Sequence, residues 1–375
     1  MAERLGVSYA SHTWPVDADL DPLAVAGDDG WFWSHDGLVL AGTGIAIEFT
    51  SGGRSTLAEQ ANAVFGQLGI VDAVRRRGTG PLALGALPFA ANATGRLVVP
   101  ELLYGRDRDG ERWITWVGEG APPTTQEAWA VLATRRASTT APGEFVVRAE
   151  RPEQAHAEAV TAARQELRGG GARKVVLARA VTIDCDRDIA RAPVLRRLLD
   201  AFPTSFVFSM PELMGASPEL LVARSDETVR AQPMAGTARR SPDPGVDARL
   251  AADLLASEKD RIEHQITIDM VHDTLLEWCS YLDAPEQPEV VSVANVHHLA
   301  TWVRGRLSQP LPSVLDLVAA LHPTPAVCGD PRDAAIALIA RHEHLDRGSY
   351  AGPVGWVDAH GNGEFAVGIR SAEVI

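Results

Sequence analysis

Short apolar runs broken by turn residues fill the first 150 positions. LVLAGTGIAIEF (38–49), GPLALGALPF (80–89) and ERWITWVGEG (111–120) have the length and the β-branched and aromatic content of strands. STLAEQANAVFGQL (55–68) interrupts them with apolar residues at helical spacing, which predicts a helix with Ser55 as its cap. From about residue 150 the rhythm changes to helix, strand, helix. EQAHAEAVTAARQELRGG predicts a helix halted by glycines, and RKVVLARAVTID a single strong strand after it.

Further on, APVLRRLLDAF predicts a helix, SFVFSM, ELLVAR and TVRAQPM predict strands, and a helical stretch runs from about Val246 to Cys279. Within that stretch Glu263, Ile266, Thr267 and Met270 share one face. VVSVANVHHLATWVRGRL predicts a strand and PSVLDLVAAL and PRDAAIALIARHEH helices, and PVGWVDAHGNGEFAVGIRSAEV predicts a closing hairpin with its turn at HGNG. Many strands interleaved with helices, without a regular βαβ alternation, predict an α+β fold with large, mainly antiparallel sheets flanked by helices. No linker-like run divides the chain, so residues 1–375 are expected to form one large unit, of one lobe or two.

Composition narrows the function. A net charge of -14 argues against nucleic acid, which needs clustered cations against phosphates. An anionic metabolite would need a local cation or metal. The start MAERLGVSYASHTW carries no signal-like apolar stretch and no later segment has membrane-spanning length, which places the protein in the cytoplasm. Cys185, Cys279 and Cys328 are too few and too scattered for a disulfide framework or a zinc site. Gly169 to Gly171 follow a helix and precede a strand, the reverse of a phosphate-cradling loop. Of 35 basic residues only Lys174 and Lys259 are lysines. An ammonium can lose its proton when desolvated and a guanidinium cannot, so a lysine in so arginine-biased a chain invites a proton-transfer role; chance or a helix surface explains Lys259 equally well.

The second half carries compact polar clusters at the ends of apolar runs: KVVLAR with Lys174, GASPELL with Glu219, QPMAGTARR with Gly236 and Thr237, EKDRIEH with Glu263, HHLAT with His298 and Thr301, LHPTPAVCGDP, and GIRSA with Arg370. One Lys, two Glu and one Arg near Gly-rich turns suit acid/base work on a carboxylate-bearing ligand. Taken singly, Lys174 reads as well as a strand-edge ion-pair partner, Glu219 as a helix-first-turn carboxylate after Pro218, and EKDR as a solvated helix face.

The ordered series resembles the chorismate-utilising enzymes, which include anthranilate, aminodeoxychorismate, salicylate and isochorismate synthases. The resemblance covers about residues 150–375, and residues 1–150 match only loosely, through segments such as LGALPF. It implies a chorismate substrate, with Lys174 as the general base that activates water and Glu219 as the general acid that protonates the departing hydroxyl. It also implies Glu263 as a Mg2+ ligand, with Asp260 one turn earlier as an outer-shell partner. Gly236 and Thr237 would approach the substrate, Arg370 would pair with a substrate carboxylate through its fork of donors, and His298 and Thr301 would line the same site. His297, His264 and His322 are read as structural. The family makes a monomer the expected state.

Among the siblings, Ala235 stands where the aminodeoxychorismate branch has a lysine, Lys174 argues against anthranilate formation, and LHPTPAVCG is closer to isochorismate than to salicylate synthases. Isochorismate synthase is therefore expected, with salicylate synthase, which would go on to eliminate pyruvate, as the alternative. One departure bears on this. The sequence given stops at IRSAEVI, where the family continues into a GAGI-like segment and an acidic helix holding a second magnesium carboxylate. Weakened metal affinity, exposed apolar surface, or a truncated non-catalytic family member would be the corresponding expectations.

Overall fold

The computed structural model describes residues 9–374 apart from residue 141; the side chain of Ser55, the expected helix cap, lies outside the described part. The helix there spans Arg54–Phe65 with Gly53 at its N-cap.

Two nine-stranded sheets form the frame. In order across the first lie Ser371–Glu373, Leu213–Ser217, Phe206–Ser209, Trp31–His35, Leu38–Thr43, Leu102–Arg106, Arg112–Glu119, Tyr9–Pro15 and Gly69–Asp72. The second runs Cys279–Asp283, Val303–Leu307, Thr228–Gln232, Leu220–Ser225, Gly363–Val367, Pro353–Asp358, Leu82–Ala86, Gly95–Val99 and Ile47–Ser51. Among the described residues every pairing is antiparallel except that of Tyr9–Pro15 with Gly69–Asp72, as the α+β reading expects.

The layering follows from strand alternation. Trp33, Leu40, Trp113 and Phe208 of the first sheet meet Leu84, Val98, Val354 and Trp356 of the second in one buried aromatic core, so the sheets pack face to face. The outer face of the second sheet packs on the helices Arg54–Phe65, Glu258–Leu276, Val314–Leu321 and Arg332–His342. The outer face of the first is covered by Pro22–Ala26, Thr125–Thr134 and Arg191–Ala201. The result is four layers: helix, sheet, sheet, helix.

Several predicted elements divide. LVLAGTGIAIEF forms Leu38–Thr43 of the first sheet and Ile47–Ser51 of the second. The run after the glycines is not one strand but Lys174–Val175 and Val181–Cys185. Between them, Val176 N–H donates to Cys328 O at 2.8 Å and Ala178 N–H to Glu343 Oε2 at 2.7 Å, so a distant segment takes the bonds a sheet partner would have taken. The long helix is two, Pro244–Ala256 and Glu258–Leu276, parted at Ser257, whose hydroxyl caps the second by accepting from Asp260 N–H. The VVSVANVHHLATWVRGRL run forms three strands, Glu289–Val293, Val296–Ala300 and Val303–Leu307. The first two join a third, Met234–Arg239, in a small sheet of their own.

Candidate active site

Lys174 opens a two-residue strand paired with Gly329–Asp330. Gly329 is required there, because a Cβ on it would lie 2.2 Å from the Lys174 carbonyl oxygen. The same segment is anchored by a buried ion pair, Arg347 Nε to Glu343 Oε1 at 2.6 Å, while Arg347 also donates to Val327 O at 2.8 Å and Val176 O at 2.9 Å. So braced, the Lys174 side chain is only 10% exposed, and its Nζ lies 3.2 Å from Glu263 Oε1. That approach is an ion pair by distance but lacks the alignment of a hydrogen bond, and Nζ has no hydrogen-bonding partner among the described residues.

Glu219 sits between the strands Leu213–Ser217 and Leu220–Ser225, not at a helix start. It is 2% exposed and its Oε1 has no partner among the described residues. Burial pushes its carboxyl up to about 8, against the opposing pull of the Met234 N–H and of Lys174. It is therefore held as a neutral acid at neutral pH.

The Ser257-capped helix delivers Glu263 and, next to it, His264. The His264 ring is buried, with Nε2 2.8 Å from Thr301 Oγ1 and Nδ1 without a partner. Burial, and then the charge of Lys174, push it down to about 4, opposed by Glu263, so it stays neutral beside the lysine.

The second group lies on the small sheet. Gly236 forms a bulge in Met234–Arg239, where the pairing steps from Ala235↔Leu299 to Thr237↔His298. Its φ of +79° is left-handed, and a Cβ there would come within 3.1 Å of Asp260 Cβ, so only glycine lets the helix turn before Glu263 pack this closely. The bulge turns the Gly236 carbonyl and the Thr237 hydroxyl toward His298 Nδ1, at 3.3 and 3.0 Å. Arg370 Nη2 lies 2.8 Å from His298 Nε2, and Arg370 Nη1 donates to Asn295 Oδ1 at 3.3 Å. A guanidinium only donates, so Nε2 accepts and the ring proton sits on Nδ1. Burial, followed by Arg370, pushes His298 down to about 4, which keeps it in that neutral form.

The structure thus gathers the sequence-selected residues in two adjoining groups. Lys174, Glu219, Glu263 and Thr301 form one, and Gly236, Thr237, His298 and Arg370 the other. Strand Val296–Ala300 carries His298, Thr301 follows its end, and the Glu263 helix packs on both groups. His297 is fully engaged by Ser292 Oγ at 2.8 Å and Asp247 at 3.0 Å, and buried His322 lies 3.3 Å from Phe89 O, which suits their structural reading. His264 departs from it: the ring is part of the Lys174 group and holds Thr301. Thr324, in the quoted LHPTPAVCGDP segment but given no role, has a buried hydroxyl with no partner. Adjacency to Glu263 and membership of that segment were the available signals for these two.

A magnesium ion would find one carboxylate here. Among the described residues Glu263 has no guanidinium or backbone donor on its carboxylate. Lys174 sits by Oε1 and Lys259 Nζ 3.6 Å from Oε2, two ammonium groups standing where a cation would stand. Among the described residues no group of three or more His, Cys, Asp or Glu side chains could enclose a metal. The donor set therefore fits an ion that keeps most of its water and shares a substrate carboxylate, and it does not fit a protein-enclosed one. Asp260 instead accepts from the Ser257 hydroxyl at 2.5 Å.

The chain is similar to several known proteins. Residues 8–375 match the family model described as chorismate binding enzyme. A Mycobacterium tuberculosis protein with the provisional name isochorismate synthase MenF is 40% identical over 315 residues, covering 80% of this chain and 78% of that protein. Isochorismate synthase EntC of Escherichia coli K12 is 36% identical over 306 residues, covering 78% of this chain and 72% of its own. The solved structure of MenF, the menaquinone-specific isochorismate synthase from Escherichia coli, superposes with a TM-score of 0.81 over 98% of this chain and 86% of that one, at 23% identity, and so supports the fold. Among the described residues no helix is long and apolar enough to cross a membrane. The match over nearly the whole sequence, together with relatives at this identity and coverage, places the chain in the chorismate-binding enzyme family.

Proposed function

We propose that the chain is an isochorismate synthase, adding water at C2 of chorismate and expelling the C4 hydroxyl. The observation that carries the reading is Glu219, a carboxyl that burial keeps protonated up to about pH 8, within electrostatic reach of Lys174. An acid and a base on one dry site are what hydroxyl exchange needs. In its neutral amine form Lys174 takes a proton from water as the water oxygen bonds to C2. The ring double bonds shift, the C4–O bond breaks, and Glu219 gives its proton to the leaving hydroxyl. The reverse reaction exchanges these roles.

Arg370, aligned by His298 and Asn295, presents donors to a substrate carboxylate, and Thr237 and Thr301 line the approach. Glu263 would hold a magnesium ion that supplies positive charge against the substrate carboxylate. The test is incubation with chorismate and Mg2+, followed by chromatographic separation of isochorismate, salicylate, pyruvate and anthranilate, with Lys174→Ala alongside. Isochorismate without pyruvate, lost in the variant, is the expected outcome. Salicylate with pyruvate would move the assignment to salicylate synthase, and product formation by Lys174→Ala would remove Lys174 as the base.

A further inference from the structure

The chain has 35 basic residues and only two are lysines, yet both converge on one carboxylate. Lys174 approaches Glu263 Oε1 at 3.2 Å from the buried side, and Lys259 approaches Oε2 at 3.6 Å from the solvent side, one helical turn earlier. Arginine, used everywhere else, would clamp a carboxylate through two parallel hydrogen bonds. An ammonium on a flexible stem is a point charge that can leave. Lys259 is placed to do so: its side chain is 81% exposed, and its other ion-pair contact among the described residues is Asp260 at 3.4 Å.

We propose that Lys259 is a displaceable counter-ion of Glu263, occupying Oε2 while no divalent cation is bound and swinging into solvent when one arrives. This rests on the reading of Glu263 as a metal ligand. The consequence is competition. The Oε2 atom keeps a counter-charge while no metal is bound, and metal affinity is set below what the carboxylate without Lys259 would give.

The test is a titration of the substrate-free chain with Mn2+, read by the EPR signal of the free aqueous ion, and with Mg2+ by calorimetry. Lys259→Met, which keeps the stem and removes the charge, should bind about two- to five-fold tighter, the range expected for loss of an exposed ion pair. Lys259→Arg should not bind tighter. Arg261→Met, which removes an exposed charge two residues away that makes no ion pair among the described residues, should change affinity less than Lys259→Met. Unchanged or weaker binding by Lys259→Met overturns the proposal, as does equal tightening in Arg261→Met, which would mark a general field effect. Glu263→Gln separates the two layers. If it abolishes binding, the ligand reading stands whatever Lys259 does. If it binds as the unaltered chain does, or if the unaltered chain binds no metal either alone or with chorismate present, the ligand reading itself fails.

Discussion

Replacing Glu219 by glutamine tests the site through the stability of the whole fold. The carboxyl is protonated in the folded chain up to about pH 8 and in the unfolded chain only up to 4.5. Between those values the folded state binds one proton more, so stability falls as pH rises, by about 1.4 kcal/mol per pH unit. From pH 5 to pH 7 the loss is about 3 kcal/mol. Glutamine has the same size and does not titrate, so Glu219→Gln escapes this loss while every other group titrates as before. The stability of the variant relative to the unaltered chain should therefore climb by about 3 kcal/mol over that interval, even as turnover drops about 10²- to 10⁴-fold for want of the acid. Urea unfolding followed by tryptophan fluorescence at pH 5, 6 and 7 measures the difference. A difference that does not vary with pH would refute the protonated state of Glu219, and with it the physical basis for its role as the acid.

Other changes follow from the same geometry. Gly236→Ala forces a side chain into left-handed backbone against Asp260, and should cost about 1–3 kcal/mol and raise KM; an unchanged unfolding midpoint would show that the bulge relaxes freely. His264 and His298 are pushed from 6.5 to about 4, so the stability they protect is complete above pH 6.5 and lost as pH falls toward 4, up to about 3 kcal/mol each. His264→Asn and His298→Asn should each flatten the acid limb of the stability curve, and acid limbs identical to that of the unaltered chain would contradict the neutral-ring assignment. Glu343→Gln leaves Arg347 buried without its counter-charge and should cost about 3–5 kcal/mol in urea unfolding. Because Arg347 braces the Lys174 strand, turnover should also fall at temperatures where the variant is still folded.

Periodicity carried the fold class because each sheet buries one face and alternation records it. It located the Arg332–His342 and Val314–Leu321 helices almost to the residue and the closing hairpin with its turn, although that hairpin ends at Val367 and Ser371–Glu373 crosses to the first sheet. It failed where backbone groups bond to remote partners. Nothing local in KVVLARAVTID says that Val176 and Ala178 will be claimed by Cys328 and Glu343, more than 150 residues away. The division at Ser257 was legible in retrospect, since Ser-Glu-Lys-Asp is a cap in the middle of a helical pattern. For the site, residue identities came from the motif series, His298 among them, but His264 did not. A buried imidazole beside an ammonium and one packed in a core look alike in sequence, and only three-dimensional placement separates His264 from His322.

The scarcity of lysine gives the chain a chemical handle. Amine-directed acylating reagents ignore guanidinium groups, so nearly all of the basic surface is invisible to them. Of the two side-chain amines, Lys174 is 10% exposed and Lys259 81% exposed. Among the side-chain amines a fluorophore ester should therefore favour the rim of the site, within reach of Glu263, with the more acidic α-amino group of the chain as its competitor. A dye there would report arrivals at the carboxylate as changes in its emission, and tandem mass spectrometry of the labelled peptide would show whether the buried amine had stayed unmodified.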